Sequence, residues 1–451
     1  MLHLIRQDFG SDFVWGAATS AYQIEGSPRA HGAGPSNWHE FAHVEGRIEG
    51  GHHGDVACDH YRRSSEDVHL MSDLGIQAYR FSVSWSRIMP AGTGRVNPSG
   101  IDFYQRLVDD LLAAGIQPYL TLFHWDLPAS LEHRGGWLHP QSPRWFADYA
   151  EVVARALGDR VSHWCTLNEP WVIANHGYVE GIHPPGKQDV HAFCRAVHHL
   201  LLAHQEATAA LRAANVPQVS VAVNLTPQHP QTDSNADVQA ATYRHAYVNR
   251  LFLDPLFRGQ YPTELRRCFG RASDVWREDQ LDCERGGIDC LGINYYLRNV
   301  VAFDPHGLVK AREVQLPGVA RTSMGWEVYP EGLQEILLWV RATYGDLPLL
   351  ITENGAAFED EQLEQDLVID QDRIRYLQQH LIAVAAAIRA GINLRGYFVW
   401  SLMDNFEWSC GYSKRFGIVR VDPSTQQRHP KASAHFYRDW IQDADASRVL
   451  R

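Results

Sequence analysis

The chain has 451 residues, of which 45% are apolar and 21% charged, so it can bury a large core and is not intrinsically disordered. Its 53 acidic and 41 basic residues give a net charge of −12 with neutral histidines. This acidic balance argues against a protein that neutralises phosphates, so we expect no nucleic-acid partner. The seven cysteines form no C-x-x-C pair, which favours reduced thiols over a zinc or redox motif.

The sequence offers no membrane anchor or export signal. No long apolar segment follows a basic one near the N-terminus, and no later stretch has about eighteen uninterrupted apolar residues. We therefore expect no membrane association and a cytoplasmic location. No feature of the sequence predicts an oligomeric state.

Eight short runs rich in β-branched and aromatic residues alternate with helical patterns along the chain. The runs span 13–17, 78–83, 118–123, 163–167, 219–224, 290–295, 349–352 and 396–400. Most are continuously apolar, which is typical of strands buried on both faces of a parallel sheet. Helical spacing is clear at 104–112, 145–157, 193–211 and 377–388, and three of these patterns end before a glycine.

This alternation predicts an α/β fold, a single (β/α)₈ TIM barrel over residues 1–451 with long loops after the strands. No Pro- or Ser-rich linker, charge block or low-complexity segment divides the chain. Two segments, 263–285 and 304–326, are predicted to be long loop insertions.

Polar and aromatic residues follow the predicted strands, where barrel enzymes place their chemistry. They are His124 and Trp125 after the third run, Asn168, Glu169 and Trp171 after the fourth, Asn224 after the fifth, Asn294 and Tyr296 at the end of the sixth, Glu353 after the seventh, and Trp400, Glu407 and Trp408 at or after the eighth. Each of these alone is compatible with a helix cap, a salt bridge or core packing. Their shared position favours a functional site.

Two glutamates across one barrel mouth suit glycoside hydrolysis. That reaction needs one carboxylic acid to protonate the leaving oxygen and one carboxylate to stabilise or trap the oxocarbenium-like centre. Glu169 and Glu353 are the candidates.

At these residues the sequence resembles glycoside hydrolase family 1, the retaining β-glucosidases. The similar segments are FVWGAATSAYQIEG at 13–26, TLNEPW at 166–171, ITENG at 351–355 and YFVWSLMDNFEW at 397–408. They stand in the family's order and cover nearly the whole chain. The resemblance implies hydrolysis of terminal β-D-glucosyl residues, including those of cello-oligosaccharides, and of β-galactosides and β-fucosides as well.

The resemblance also implies individual roles. Glu353 is the expected nucleophile, ionised beside Arg80 and positioned by Tyr296, and Glu169 is the expected acid/base, with a raised pKa. A retaining enzyme should hold the two carboxyl groups about 5 to 5.5 Å apart. The match at Trp400 and Ser401 implies a non-proline cis peptide.

The remaining implied residues bind substrate. The expected sugar ligands are Gln23, His124, Trp125, Asn168, Asn294, Tyr296, Trp400, Glu407, Trp408 and Phe416. Trp171 and Trp326 are expected at the leaving-group subsite. No cofactor or metal is expected.

Four other functions could be built on the same barrel. A 6-phospho-β-glycosidase would carry a serine where Glu407 stands and a tyrosine that the segment SKRF at 413–416 lacks. A transglycosidase would share every residue named above. A metal-dependent hydrolase is disfavoured because no H-E-x-x-H motif occurs, although the chain has 24 histidines. A catalytically silent sugar-binding relative is disfavoured because both glutamates are present.

Overall fold

Eight parallel strands close into a barrel in the computed structural model, which describes residues 6–282, 287–360, 363–364 and 367–442. We label them in chain order as β1 (Val14–Ala18), β2 (Ala78–Ser82), β3 (Gln117–Phe123), β4 (His163–Asn168), β5 (Gln218–Asn224), β6 (Cys290–Asn294), β7 (Leu349–Asn354) and β8 (Leu394–Trp400). The barrel closes where β1 pairs with β8, from Val14 opposite Gly396 to Ala18 opposite Trp400. The eight predicted strands and the (β/α)₈ class are confirmed.

Helices surround the barrel. The α-helices are α1 (Ala21–Ile24), α2 (Asn37–Ala42), α3 (His60–Asp73), α4 (Trp85–Ile88), α5 (Pro98–Ala113), α6 (Ala129–Glu132), α7 (Ser142–Leu157), α8 (Pro170–Asn175), α9 (Val190–Ala213), α10 (Asn235–His245), α11 (Leu251–Arg258), α12 (Thr263–Phe269), α13 (Glu331–Tyr344), α14 (Gln371–Arg389) and α15 (Ala432–Ile441). The four predicted helical patterns lie inside α5, α7, α9 and α14. No helix in the described parts of the chain is long and apolar enough to span a bilayer.

The sequence of α7 shows why these helices form and where they lie. Pro143 stands in its first turn, where a missing amide hydrogen costs nothing, and Gly158 follows its last residue. Its buried face includes Phe146 and Tyr149. The Tyr149 hydroxyl donates to the main-chain oxygen of Leu122, at 3.0 Å, which ties the helix to β3.

The barrel interior is filled by side chains. Tyr119 from β3 and Phe398 from β8 meet with ring centroids 4.9 Å apart, and Leu350 and Cys290 are buried in the same cluster. The interior of the barrel is therefore a packed core.

The two predicted loop insertions contain regular structure, so this part of the prediction is wrong. Helix α12 begins the first segment. Its residues Leu265 and Phe269 are four positions apart, so they share one face of the helix, and both are buried. Residues 283–286 of that segment lie outside the described residues. In the second, Ala311–Val314 pairs antiparallel with Asn299–Phe303, which itself pairs with Gln228–Pro230. Two further pairs are Leu363–Glu364 with Leu367–Val368, and Val419–Val421 with Arg428–Pro430.

The prediction of a single domain over 1–451 stays a prediction. The six cysteines within the described residues are free thiols, and Cys283 lies outside those residues.

Candidate active site

A cavity of about 370 Å³ opens at the carboxyl ends of the strands. Its wall includes most of the residues predicted from the sequence, namely His124, Trp125, Glu169, Trp171, Asn294, Tyr296, Trp326, Glu353, Trp400, Glu407, Trp408 and Phe416. The other three predicted residues, Gln23, Arg80 and Asn168, are buried and contact wall residues through hydrogen bonds. The fold thus brings all of the predicted residues together.

Glu353 lies on β7 at a register shift between β6 and β7. Such irregularities re-aim side chains at the ends of barrel strands. The Arg80 guanidinium on β2 donates to one carboxylate oxygen at 2.6 Å, and the Tyr296 hydroxyl donates to the other at 2.7 Å. Burial raises the pKa of Glu353, and Arg80, followed by the Tyr296 hydrogen bond, opposes that increase. Both oxygens of this carboxylate are therefore held by donors.

Glu169 has different surroundings. It follows β4 with a φ of 50°, a left-handed conformation that is costly for a residue other than glycine. Its carboxyl group accepts from the Asn294 side-chain amide at 2.8 Å. Burial, and then the charge of Glu353, raise the pKa of Glu169 to about 8. Glu169 has an amide donor where Glu353 has a guanidinium, so its surroundings favour the protonated form more than those of Glu353 do.

Amide side chains connect the two carboxyl groups. Asn168 Oδ1 accepts from Arg80 at 2.7 Å and from Asn294 at 3.1 Å. Asn294 Oδ1 accepts from the Thr352 hydroxyl at 2.6 Å. Because each amide is bound on both sides, the network fixes which oxygens face which donors.

Glu407 is the third carboxyl group on the wall. Gln23 donates to it at 3.4 Å and also to the Asn405 side chain at 3.1 Å. Burial, and then the charge of Glu353, raise the pKa of Glu407 to about 8. Lys431, which is fully buried, bonds Asp404 at 2.8 Å and so anchors the loop that carries Glu407.

Aromatic rings form the adjoining wall. His124 lies near both Trp400 and Trp408, with ring centroids 5.7 and 5.9 Å away and nearly parallel planes. Trp125 donates its indole hydrogen to the Asn168 main-chain oxygen at 2.9 Å. Burial and the Arg80 charge lower the pKa of His124, so its ring is neutral.

Several polar atoms of this region have no hydrogen-bond partner within the described residues. They include His124 Nδ1, Trp171 Nε1 and Asn224 Oδ1, all of which are buried. Buried polar atoms normally find partners, so these three are suited to bind a polar ligand.

The outer part of the cavity is lined by aromatic rings and a guanidinium group. Trp326 packs between Tyr296 and Phe416, at centroid distances of 5.4 and 5.9 Å. On another side, the Arg244 guanidinium lies 5.9 Å from the Trp171 ring.

Sequence reasoning missed several residues of the outer wall. Arg244, which pairs with Glu313, and His176 and His183 all line the cavity. They come from helices and loops far from the strand ends, and the sequence carries no signal that they meet. Asn224, which also lines the cavity, did carry a signal in the sequence, because it is a polar residue at the end of a predicted strand.

The predicted cis peptide between Trp400 and Ser401 is present. Gly355 follows the β7 end directly and lies against this peptide. A Cβ at position 355 would come within 1.6 Å of the Trp400 carbonyl oxygen, so only glycine allows this approach. The end of β7 and the Trp400 backbone are therefore in direct contact.

Comparison with known proteins identifies the family. The family model for glycosyl hydrolase family 1 matches residues 5–446. The chain belongs to glycosyl hydrolase family 1. Its sequence is 46% identical to β-glucosidase A of Thermotoga maritima, over 96% of this chain and 98% of that protein. It is 45% identical to a 1,4-β-D-glucan glucohydrolase of Thermotoga neapolitana, with the same coverage.

Solved structures agree with this assignment. A family 1 β-glucosidase from Thermotoga maritima in complex with isofagomine lactam superposes with a TM-score of 0.93 at 46% identity, over 96% of this chain and 98% of that chain. The predictions of family, fold class and glycoside hydrolase are thereby confirmed.

We predict that the pKa of Glu169 falls when Glu353 is replaced by glutamine. The neighbouring negative charge favours the protonated acid, so its removal makes ionisation easier. The titration can be followed by ¹³C NMR of glutamate-carboxyl-labelled protein. Glu407→Gln is the matched control, and its effect should be smaller because the Glu407 charge contributes less. An unchanged Glu169 titration in Glu353→Gln would show that the two groups are not coupled.

Proposed function

We propose that this family 1 enzyme is a retaining β-glucosidase in which Glu353 is the nucleophile and Glu169 the acid/base. The observation that carries the proposal is the contrast between the two carboxyl groups. Glu353 is bound by Arg80 and Tyr296, at 2.6 and 2.7 Å, whereas Glu169 is bound by the neutral amide of Asn294. An anionic nucleophile and a protonated acid are the two states that a retaining glycosidase needs before it reacts.

In the first half-reaction, a Glu353 oxygen bonds to the anomeric carbon as the bond to the leaving oxygen breaks. Glu169 gives its proton to that oxygen, which departs as an alcohol. Esterification removes the negative charge of Glu353, and with it part of the reason for the raised pKa of Glu169.

In the second half-reaction, Glu169 is an anion and accepts a proton from water. The water oxygen bonds to the anomeric carbon, and the ester bond to Glu353 breaks. Two inversions leave the sugar with its original β configuration, and both carboxyl groups return to their starting states.

The polar groups around Glu407 are proposed to bind the terminal sugar. Glu407 with Gln23, and His124 with Asn168, offer paired donors and acceptors for hydroxyl groups, while Trp400 offers a flat apolar face. β-Glucosides and cello-oligosaccharides are the proposed substrates, with β-galactosides and β-fucosides as further ones. The names of the Thermotoga relatives support this class. Breakdown of cellulose fragments in the cytoplasm is the proposed setting.

The position of two basic residues disfavours a sugar phosphate. Lys414 and Arg415 line a separate cavity, together with Tyr412 and Arg420, and not the one that holds the glutamates. A phosphate near Glu407 would meet a carboxyl group. A transglycosidase would use the same residues and differ only in the acceptor of the second half-reaction.

The substrate proposal predicts that kcat/KM is high for 4-nitrophenyl β-glucoside and at least about 100-fold lower for its 6-phosphate. A phosphate buried beside Glu407 would lose its hydration and gain no cation from Lys414 or Arg415, which line a different cavity. The β-galactoside, β-fucoside and β-mannoside complete the panel. Glu407→Gln, which keeps the shape of the side chain and cannot ionise, should narrow the difference in kcat/KM between the two substrates. Preference of the unmodified enzyme for the phosphorylated substrate would contradict the proposal.

The assignment of the two glutamates predicts opposite products in the presence of azide. Glu353→Gly should lose hydrolysis by at least about 10⁴-fold, and azide entering the space of the nucleophile should give the α-glucosyl azide from 2,4-dinitrophenyl β-glucoside. Glu169→Ala should still form the ester, which azide would attack from the other face to give the β-glucosyl azide. The anomer is identified by ¹H NMR. The same anomer from both variants would refute the assignment.

A further inference from the structure

Three histidines and an aspartate meet on the surface beside the aromatic wall of the active site. His39 Nδ1 lies 3.1 Å from Asp55 Oδ1, and His43 Nε2 lies 3.2 Å from Asp55 Oδ2. His53 Nδ1 is 3.6 Å from Asp55 Oδ2, and its ring stacks on that of His43 with centroids 4.7 Å apart. We call these four residues the His39 cluster.

The hydrogen bonds of His43 determine which of its nitrogens carries a lone pair. Its Nδ1 lies 2.7 Å from the His39 main-chain oxygen, which can only accept, so Nδ1 carries the hydrogen. In the neutral ring, Nε2 then presents a lone pair to Asp55. A histidine bound through one nitrogen while the other donates to a carbonyl is the usual arrangement of a metal ligand.

His39 also directs a ring nitrogen toward Asp55. Its Nδ1 and Asp55 Oδ1 are both buried, and neither makes a hydrogen bond of acceptable geometry, although they are only 3.1 Å apart. A buried imidazole nitrogen and a carboxylate oxygen that lie this close without a hydrogen bond between them are both suited to bind a cation.

We propose that the His39 cluster binds a divalent transition-metal ion of the zinc class. The side-chain ligand atoms of His39, His43 and Asp55 lie within 4.8 Å of one another. Ligands of one tetrahedral zinc ion are about 3.3 Å apart. The distances of 3.1 and 3.2 Å, which run to different oxygens of Asp55, each match one ligand pair, and the longer separations within the 4.8 Å group must shorten when the ion binds. Imidazole and carboxylate ligands suit zinc and its neighbours better than calcium or magnesium. His53 is placed to supply a fourth ligand.

The sequence alone predicted no metal, because these residues match no metal-binding motif. His39 and His43 are four residues apart, on α2 and at its C-terminal end, and so share one face, whereas Asp55 comes from the following loop. The Asp55 main chain is fixed by a hydrogen bond from the Ser27 amide to its oxygen, at 2.8 Å. The fold therefore presents Asp55 to the helix, a juxtaposition that no local pattern encodes.

The site adjoins the active-site wall without being part of it. Trp38, on the same helix, packs against Trp408 with centroids 4.5 Å apart. An ion would cross-link α2 to the loop that carries Asp55. It would thereby stabilise the helix whose Trp38 packs against the active-site wall. The proposal is independent of the proposed sugar chemistry, since the reaction uses no metal.

The test is titration of the metal-free full-length protein with Zn²⁺ by calorimetry and with Co²⁺ by visible absorption. We expect one equivalent of either ion, with the d–d bands of nitrogen-ligated, four-coordinate Co²⁺. Zn²⁺ should raise the Tm, and EDTA should reverse that increase. His43→Gln and Asp55→Asn should each weaken binding at least tenfold.

The control variant is His133→Asn. His133 also pairs with a carboxylate, that of Glu40 at 2.8 Å, but it lies outside the His39 cluster, so its loss should leave binding unchanged. Circular dichroism and activity on 4-nitrophenyl β-glucoside check that each variant is folded. No saturable binding to the unmodified protein, or binding equally strong in the folded His43→Gln and Asp55→Asn variants, would overturn the proposal.

Discussion

The buried ion pair between Arg80 and Glu353 is the interaction on which the rest of the site depends. Both side chains are almost completely excluded from solvent, and the charged atoms lie 2.6 Å apart. A carboxylate in such a place would otherwise take up a proton, because burial favours its neutral form. Loss of one partner of a buried pair typically costs about 3–5 kcal/mol, since the other charge is left without compensation. The pair therefore keeps a charge where the proposed chemistry needs one.

That charge also acts on its neighbours. The negative field of Glu353 contributes to the raised pKa values of Glu169 and Glu407, and in both cases burial contributes more. The carboxylate held by a cation thus makes ionisation less favourable for two other carboxyl groups that have no cation of their own. The division of roles follows from where the fold places a single guanidinium, on a strand distant in sequence from either glutamate.

The barrel brings these groups together by closing eight strands, and local irregularities then aim them. The register shifts next to Asn168 and Glu353, and Trp125, Glu169 and Trp408 all have left-handed backbone conformations. Such conformations cost roughly 1–3 kcal/mol each and persist only where surrounding contacts impose them. At these three positions on the cavity wall, the contacts that impose the conformation also set the direction of the side chain.

Much of this arrangement was predictable from the sequence. Continuous apolar runs identified the strands, and the residues that end them identified Glu169 and Glu353, because parallel strands share one carboxyl edge. The register shifts, the Arg244 and Glu313 pair and the His39 cluster were not predictable. Each of these depends on how separate loops and helices lie against one another, and periodicity carries no information about such contacts. For the same reason, helix α12 was taken for part of a loop.

The role of Glu353 is tested most directly by trapping the covalent intermediate. Incubation with 2,4-dinitrophenyl 2-deoxy-2-fluoro-β-glucoside should add one fluorosugar per active site, because fluorine destabilises both transition states while the good leaving group lets the ester form. Peptide mass spectrometry should then locate the label on Glu353. Labelling of Glu169 or Glu407, or turnover with no trapped ester, would contradict the central claim that the carboxylate held by Arg80 is the nucleophile.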